Sequence, residues 1–163
     1  MSGADLTAIV EDLQARVREL EDKQEIRELV ARYNHTFDDQ DAEGFADTYV
    51  PEGRMVHPRD GHEHGGREAF LASCKQFGGQ VVHMTTDPEI AIDGDTATHR
   101  ATMAIYFRSA DGARVRFVHT GTYRDDLRRT PEGWRFVTRR AERDQREVRL
   151  IDLVEADRSG APS

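Results

Sequence analysis

Tyr33, His35, Asp38 and Asp39 stand within two turns of one another at the end of an apolar helical stripe, in the stretch Ile26 to Asp41, IRELVARYNHTFDDQD. These are side chains that move protons: an imidazole and a carboxylate work as base and orienter, and a phenol donates to a developing oxyanion. On a helix, residues three or four apart share a face. Ile26, Leu29, Val30, Tyr33 and Phe37 therefore form one stripe, with Asp38 one step round at its border. A carboxylate at the edge of a buried face needs a partner, and the rest of the chain must supply it. Tyr33 has two readings, a donor reaching inward from the stripe or an ordinary amphipathic core tyrosine.

Further candidates lie downstream. His83 alternates with Val81 and Thr85 on one face of a predicted strand, and His119 shares a strand face with Phe117, Gly121 and Tyr123. Each is either a reactive imidazole or a satisfied core histidine. Tyr49, Met103, Phe117, Tyr123 and Trp134 are candidate substrate contacts, although the same residue types at the same spacing also build core. The segment HPRDGHEHGG offers His57, Asp60, His62 and His64, ligand types suited to zinc or iron(II). A glycine-rich loop is a poor rigid platform, so the segment reads as a loop over a pocket mouth and no metal is expected. His35, His99 and Asp39 read as surface or polar-network residues. Cys74 is the single cysteine, which gives no internal disulfide and reads as a small core residue. The glycines sit at turns; no phosphate loop, nucleophile elbow or dinucleotide fingerprint is present, and no cofactor is expected.

Composition narrows the class. The chain has 163 residues, the size of one domain. With 31 acidic against 23 basic residues its formal charge is -8, which disfavours nucleic acid as a partner. The arginine-rich run from Arg124 to Arg149 is interleaved with Asp and Glu and reads as a solvated face. No apolar run approaches the roughly 20 residues of a membrane span. The first residues are acidic where a signal peptide would be basic and then apolar, so a cytoplasmic protein with no membrane partner is expected.

The elements that must position these residues follow from periodicity. Leu6, Val10, Leu13, Val17 and Leu20 make a short heptad seam that loses phase before Ile26. Residues 1–21 therefore read as a helical extension packing on a partner subunit or on the domain's own surface, and residues 22–38 as the first helix of the domain. A second helix ends near Tyr49, before Pro51, and a third spans Arg67 to Phe77, closed by Gly78 and Gly79. From Gln80 the period becomes two. Strands are expected over 81–92 with an interruption at Pro88, then over 96–108, 113–125 and 133–142. Residues 145–163 read as a polar tail holding a docking helix, with 158–163 disordered. The sum is an α+β fold, three helices packed on one face of a curved antiparallel sheet. The exposed sheet face and the unpartnered seam predict a homodimer or higher homo-oligomer.

The order of elements and several strings resemble the SnoaL-like branch of the nuclear transport factor 2-like superfamily, a cone-shaped α+β fold. The strings are IRELVARYNHTFDDQD, GREAF, VVHMTTDPEIAIDGDTA and GTYRDDLRRTPEGWRF, and together they cover roughly residues 22–144. The resemblance implies a small-molecule pocket. By similarity to scytalone dehydratase and bile acid 7α-dehydratase it implies a dyad of Asp38 and His83, with Tyr33 as a pocket tyrosine. His119 matches a second pocket histidine only loosely. The implied activity is that of a cofactor-independent lyase or isomerase, most concretely a dehydratase acting on an apolar cyclic or polyketide-like molecule. The alternatives are a non-catalytic ligand-binding or dimerisation domain, a polyketide cyclase, and a metal-dependent pocket enzyme.

Overall fold

The structure is a computed structural model that describes residues 3–144 and 150–159. Its elements run α1 (Gly3–Asp38), α2 (Ala42–Ala46), β1 (Tyr49–His57), β2 (His62–Gly65), α3 (Arg67–Phe77), β3 (Val81–Asp93), β4 (Thr96–Arg108), β5 (Val115–Thr130), β6 (Gly133–Arg143) and α4 (Leu150–Ser159). The six strands form one sheet in the order β2-β1-β6-β5-β4-β3. Every neighbouring pair is antiparallel except β1 with β6. The α+β arrangement of three N-terminal helices on a mainly antiparallel sheet is thus observed. Among the described residues no helix is long and apolar enough to cross a membrane.

Several element boundaries differ from those the periodicity suggested, each for a local reason. α1 is a single helix through both apolar phases, because no Pro or Gly interrupts residues 4–38. α2 stops at Ala46, and Tyr49 opens a strand instead. The Gly- and His-rich segment after Pro51 is a hairpin, with His57 opposite His62 and Met55 opposite His64. Its stability comes from β6, which lies about 80 residues away in sequence and pairs in parallel with β1, a contact that local pattern cannot show. Pro88 does not end its strand. β3 is an edge strand, and a register shift between Thr86 and Glu89, with Asp87 at φ 56°, absorbs the proline.

The stripe Ile26, Leu29, Val30, Tyr33 and Phe37 is buried against the sheet, and large side chains of this kind each contribute roughly 1.5–3 kcal/mol when removed from water. α1 is fixed at its middle by Asp22, which accepts two hydrogen bonds of 2.6 Å from Arg129 and one of 3.2 Å from Trp134 Nε1. The helix ends in a Schellman turn. Asp41 N–H donates to Thr36 O and Gln40 N–H to Phe37 O, with Gln40 at φ 60°. Asp41 then caps α2 through its side chain, so the chain reverses without a spare residue.

Of the run from Arg124 to Arg149, residues 145–149 lie outside the described residues, and the described acids and bases do not form one solvated face. Arg139 and Asp125 are fully buried, and register sets His99, Asp125 and Arg139 side by side on β4, β5 and β6. Arg139 donates to both Asp125 oxygens at 2.9 and 2.7 Å, and His99 Nδ1 lies 2.7 Å from Oδ2. Burial pushes the Asp125 carboxyl up, but Arg139 and His99 pull it down further, so the net shift is downward. The pair therefore stabilises the fold at neutral pH and loses that contribution only as acid drives the carboxyl through its lowered value.

Asp125→Ala leaves the buried guanidinium of Arg139 without its carboxylate, and urea unfolding should register a loss of about 3–5 kcal/mol. Adding Arg139→Met should restore a large part of it. An Asp125→Ala protein as stable as the wild type would contradict this account.

Candidate active site

The site begins where α1 ends. Asp38, the last residue of α1, has its backbone carbonyl held by Arg108 Nη2 at 3.0 Å, and the same guanidinium donates to Gly79 O at 3.0 and 3.1 Å. Between α3 and β3 the chain passes under the end of α1 so tightly that a Cβ on Gly78 would meet Cys74 O at 2.5 Å and Phe37 O at 2.9 Å. Gly79 follows at φ 78°, with its N–H donating to Phe37 O. These backbone constraints deliver the start of β3 alongside Asp38. The Asp38 carboxylate then takes His83 twice: Oδ2 accepts the backbone N–H at 2.8 Å, and Oδ1 lies 2.6 Å from ring Nδ1. The His83 side chain is only 7% exposed. With Nδ1–H donated to the carboxylate, the neutral ring carries its lone pair on Nε2.

His83 lines a cavity of about 680 Å³. Phe37, Phe45, Phe77, Val81, Met103 and Ile105 give it an apolar wall, and Tyr33 and Tyr123 add phenols. The β1–β2 hairpin contributes His57, Arg59, Asp60, His62 and His64, while His119 comes from β5 and Arg143 from the end of β6. Tyr33 packs edge-on to His83, ring centroids 5.7 Å apart, and Phe37 does so at 5.4 Å. Beneath Tyr33 lies the Arg139 guanidinium, 4.1 Å from the Tyr33, Tyr123 and Phe136 ring centroids. Burial raises the Tyr33 phenol above its ordinary value, only partly offset by Arg139, so the hydroxyl stays protonated and is a donor.

Two of the hairpin histidines, His57 and His64, are shifted toward the neutral form. Burial first, then the guanidinium of Arg143, pushes His57 down to about 4, and burial lowers His64 as well. Rings 57 and 62 lie 5.5 Å apart and rings 62 and 64 lie 5.3 Å apart. Nδ1 of both His57 and His64 is buried without a partner. A buried nitrogen with nothing to receive a proton is better left unprotonated, which favours the Nε2–H tautomer of each ring. Among the described residues no three His, Cys, Asp or Glu side chains are arranged to hold a metal ion. Arg143 pairs with Asp60 across the mouth. His119 is likewise lowered to about 4, by burial and then by Arg143.

Asp38, His83, Tyr33, His119, Met103 and Tyr123 are thus brought together around one space, Asp38 standing directly behind His83. Three expected substrate contacts are not. Tyr49 stacks on Phe70 at 4.0 Å, one layer behind Tyr33. Trp134 is buried against the middle of α1, bonded to Asp22 and covered by Arg129 at 4.6 Å. Phe117 is 46% exposed and rests on Tyr106, because the β4–β5 register shifts between Ile105 and Tyr106. That bulge buries both Val118 and His119 and turns Phe117 to the opposite face, which strict alternation cannot anticipate. Arg143 is a pocket residue that the sequence reading missed. The available signal was its alternation with Ala141 on β6. Cys74 is buried, and burial pushes its thiol up to about 11, consistent with an inert core residue.

Comparison with known proteins fits this geometry. An uncharacterized protein of Mycobacterium tuberculosis is 28% identical over 144 residues, spanning 82% of this chain and 93% of the relative. A solved NTF2-like protein with a cystatin-like fold from Novosphingobium aromaticivorans is 28% identical with a TM-score of 0.73, covering 90% of this chain and 95% of that one. A second structure from that organism carries a provisional scytalone dehydratase label. It has a TM-score of 0.68 at 18% identity over 80% of this chain and 91% of its own, a likeness of fold alone. Residues 18–140 match the SnoaL-like domain, a span that includes Tyr33, Asp38, His83, His119 and Arg139, and the chain therefore belongs to the SnoaL-like family of the NTF2-like fold.

Proposed function

We propose that the protein is a lyase or isomerase that moves protons with its own side chains, most concretely a dehydratase of a mostly apolar, cyclic or polyketide-like hydroxycarbonyl compound. The observation that carries this reading is the 2.6 Å contact of His83 Nδ1 with Asp38 at the wall of a cavity that is apolar at one end and polar at the hairpin end. Asp38 fixes the tautomer and stabilises the imidazolium, so Nε2 is the base that takes a proton from the carbon next to a carbonyl. The electron pair of that C–H bond becomes the enolate, whose oxygen the protonated Tyr33 phenol can stabilise. The enolate then expels the hydroxyl group, and the proton on His83 leaves with it as water. The site returns to its starting state and all atoms are accounted for.

His119 is held neutral at physiological pH, so it is a poor proton donor to the leaving group. Its role is to orient the substrate, together with the Nε2–H groups of His57 and His64. These donors make the hairpin end of the cavity the place for the oxygen-bearing part of the ligand and leave the phenylalanine-lined end for its apolar body. A second reading is a non-catalytic binding domain. It is favoured by the backbone N–H of His83 also bonding Asp38, since that contact would dock α1 on β3 with or without chemistry.

A panel of cyclic β-hydroxyketones, followed by the absorbance of the enone formed, separates the two. The wild type should turn over at least one member. His83→Gln, folded by circular dichroism, should lose about 10²- to 10⁴-fold in kcat, and Asp38→Asn should lose at least about 10²-fold through the wrong tautomer. A folded His83→Gln protein working at the wild-type rate would sink the catalytic reading, and unchanged ligand binding with no turnover by either protein would favour the binding one.

Acidification supplies an independent check. His57 and His119 stand at about 4 in the fold against 6.5 for a free histidine. Between those values the unfolded chain takes up protons that the folded one refuses. Their effect is therefore absent above about pH 6.5, and stability declines as the pH falls from there toward 4. Ring NMR signals of both histidines should remain those of neutral imidazole at pH 6, and a titration midpoint near 6.5 for either would contradict the assignment.

A further inference from the structure

Leu6, Val10, Leu13, Val17 and Leu20 lie along α1 at alternating spacings of four and three, and all are between 44% and 66% exposed. The first half of α1 therefore does not cover this row with its own domain. At about 100° per residue, the mean direction of the row lies about 160° from that of Ile26, Leu29, Val30, Tyr33 and Phe37, the row buried against the sheet. The loss of apolar phase near residue 21 is thus a transfer from the back of the helix to its front. A second helix laid along the back meets no part of the domain that α1 itself packs on.

We propose that this row is the seam of a parallel, in-register two-stranded coiled coil formed with a second copy of this chain. Three features of the seam select that occupant. In heptad notation Val10 and Val17 fall at a and Leu6, Leu13 and Leu20 at d, and β-branched residues at a with Leu at d favour two parallel strands. Arg16 and Lys23 then fall at g, and Glu21 and Glu28 at e. In a parallel pair each g residue faces the e residue five positions on, so Arg16, inside the seam, meets Glu21 of the partner subunit at its end. In an antiparallel pair g faces g, and the basic residues would oppose one another. The seam is also self-complementary, as a two-fold dimer requires.

Competing contacts are weak. Lys23 bonds Glu19 at 2.6 Å and Gln24 bonds Glu28 at 2.9 Å, both exposed pairs within one helix. The next a and d positions, Gln24 and Arg27, are polar, which confines the seam to residues 6–20. A seam that short would be marginal as a free peptide. Here its helix is continuous with the anchored half of α1, and nucleation is already accomplished. Two domains then stand on opposite sides of a short central stalk, each with its own complete cavity.

Sedimentation equilibrium of the full chain tests this, and activity is not needed as a readout. The wild type should be a dimer. Leu13→Glu with Val17→Glu should weaken association at least about 100-fold, the equivalent of about 2.8 kcal/mol, with an unchanged near-ultraviolet spectrum of the buried Trp134. Arg16→Glu alone should weaken the dimer, and adding Glu21→Arg should restore it, which no general damage to the helix would do. Leu20→Cys should form a disulfide with itself under mild oxidation, Cys74 being buried. A monomeric wild type, a dimer indifferent to the Leu13 and Val17 changes, or a preferred cross-link between Leu6→Cys and Leu20→Cys chains would each overturn the proposal.

Discussion

The cavity depends on α1 being held at two places on the sheet. Asp22 grips Arg129 and Trp134 at one end of the buried half of the helix, and Asp38 grips His83 at the other. Sixteen residues separate them, a helical length of about 24 Å. Between these clamps the apolar stripe is pressed onto the sheet. At the Asp38 end the helix stops, reverses through Gln40 and Asp41, and leaves a space that β3, β4, β5 and the β1–β2 hairpin enclose. One carboxylate thus closes the structure and holds the cavity histidine His83, so substitutions at Asp38 carry a structural cost as well as any chemical one.

The chain contains two Asp–His pairs with nearly equal separations, and their surroundings give them different prospects. His99 and Asp125 lie 2.7 Å apart with side chains 1% and 0% exposed, and Arg139 neutralises the carboxylate. That pair has no access to a ligand, and its charge is satisfied inside the sheet. His83 and Asp38 lie 2.6 Å apart, 7% and 15% exposed, with the ring on a cavity wall and no guanidinium bonded to the carboxylate side chain. The Asp38 carboxylate is therefore bonded to His83 and not to a cation among the described residues. The two networks meet at Tyr33, which rests on the Arg139 guanidinium and stands edge-on to His83. The buried pair thereby supports the wall of the site without taking part in it.

How much of this was legible in sequence follows from the range of each interaction. The stripe on α1, the helix Arg67–Phe77 and the long strands are local periodicities and could be read directly. The partner of Asp38 could not, because a 45-residue separation carries no spacing rule, and only the family resemblance paired it with His83. Strict alternation placed His119 and Tyr123 on the pocket face and misplaced Phe117, since a single bulge after Phe117 inverts the face of everything before it. Trp134 and Tyr49 were misread because an aromatic residue at strand spacing buries itself equally well against a helix or a ligand. Arg139 was hidden by charge density: sequence counts the acids and bases near it, whereas burial depends on which of them the register pairs with Asp125.

The same reasoning applies to α1 itself. A helix that packs on one sheet needs one apolar face, but this one has two, separated along its length and turned about 160° apart. The front row is occupied by the sheet and ends next to the Asp38 carboxylate. The back row cannot reach the sheet without rotating the helix, which would pull Asp22 from Arg129 and Asp38 from His83. The clamps that define the cavity therefore also fix the direction in which the exposed row points. Because the helix has no Gly or Pro between the two rows, anything docked on the first half is rigidly coupled in orientation to the second. Assembly through the back row would leave each cavity whole, with its mouth shaped by the hairpin histidines of its own chain.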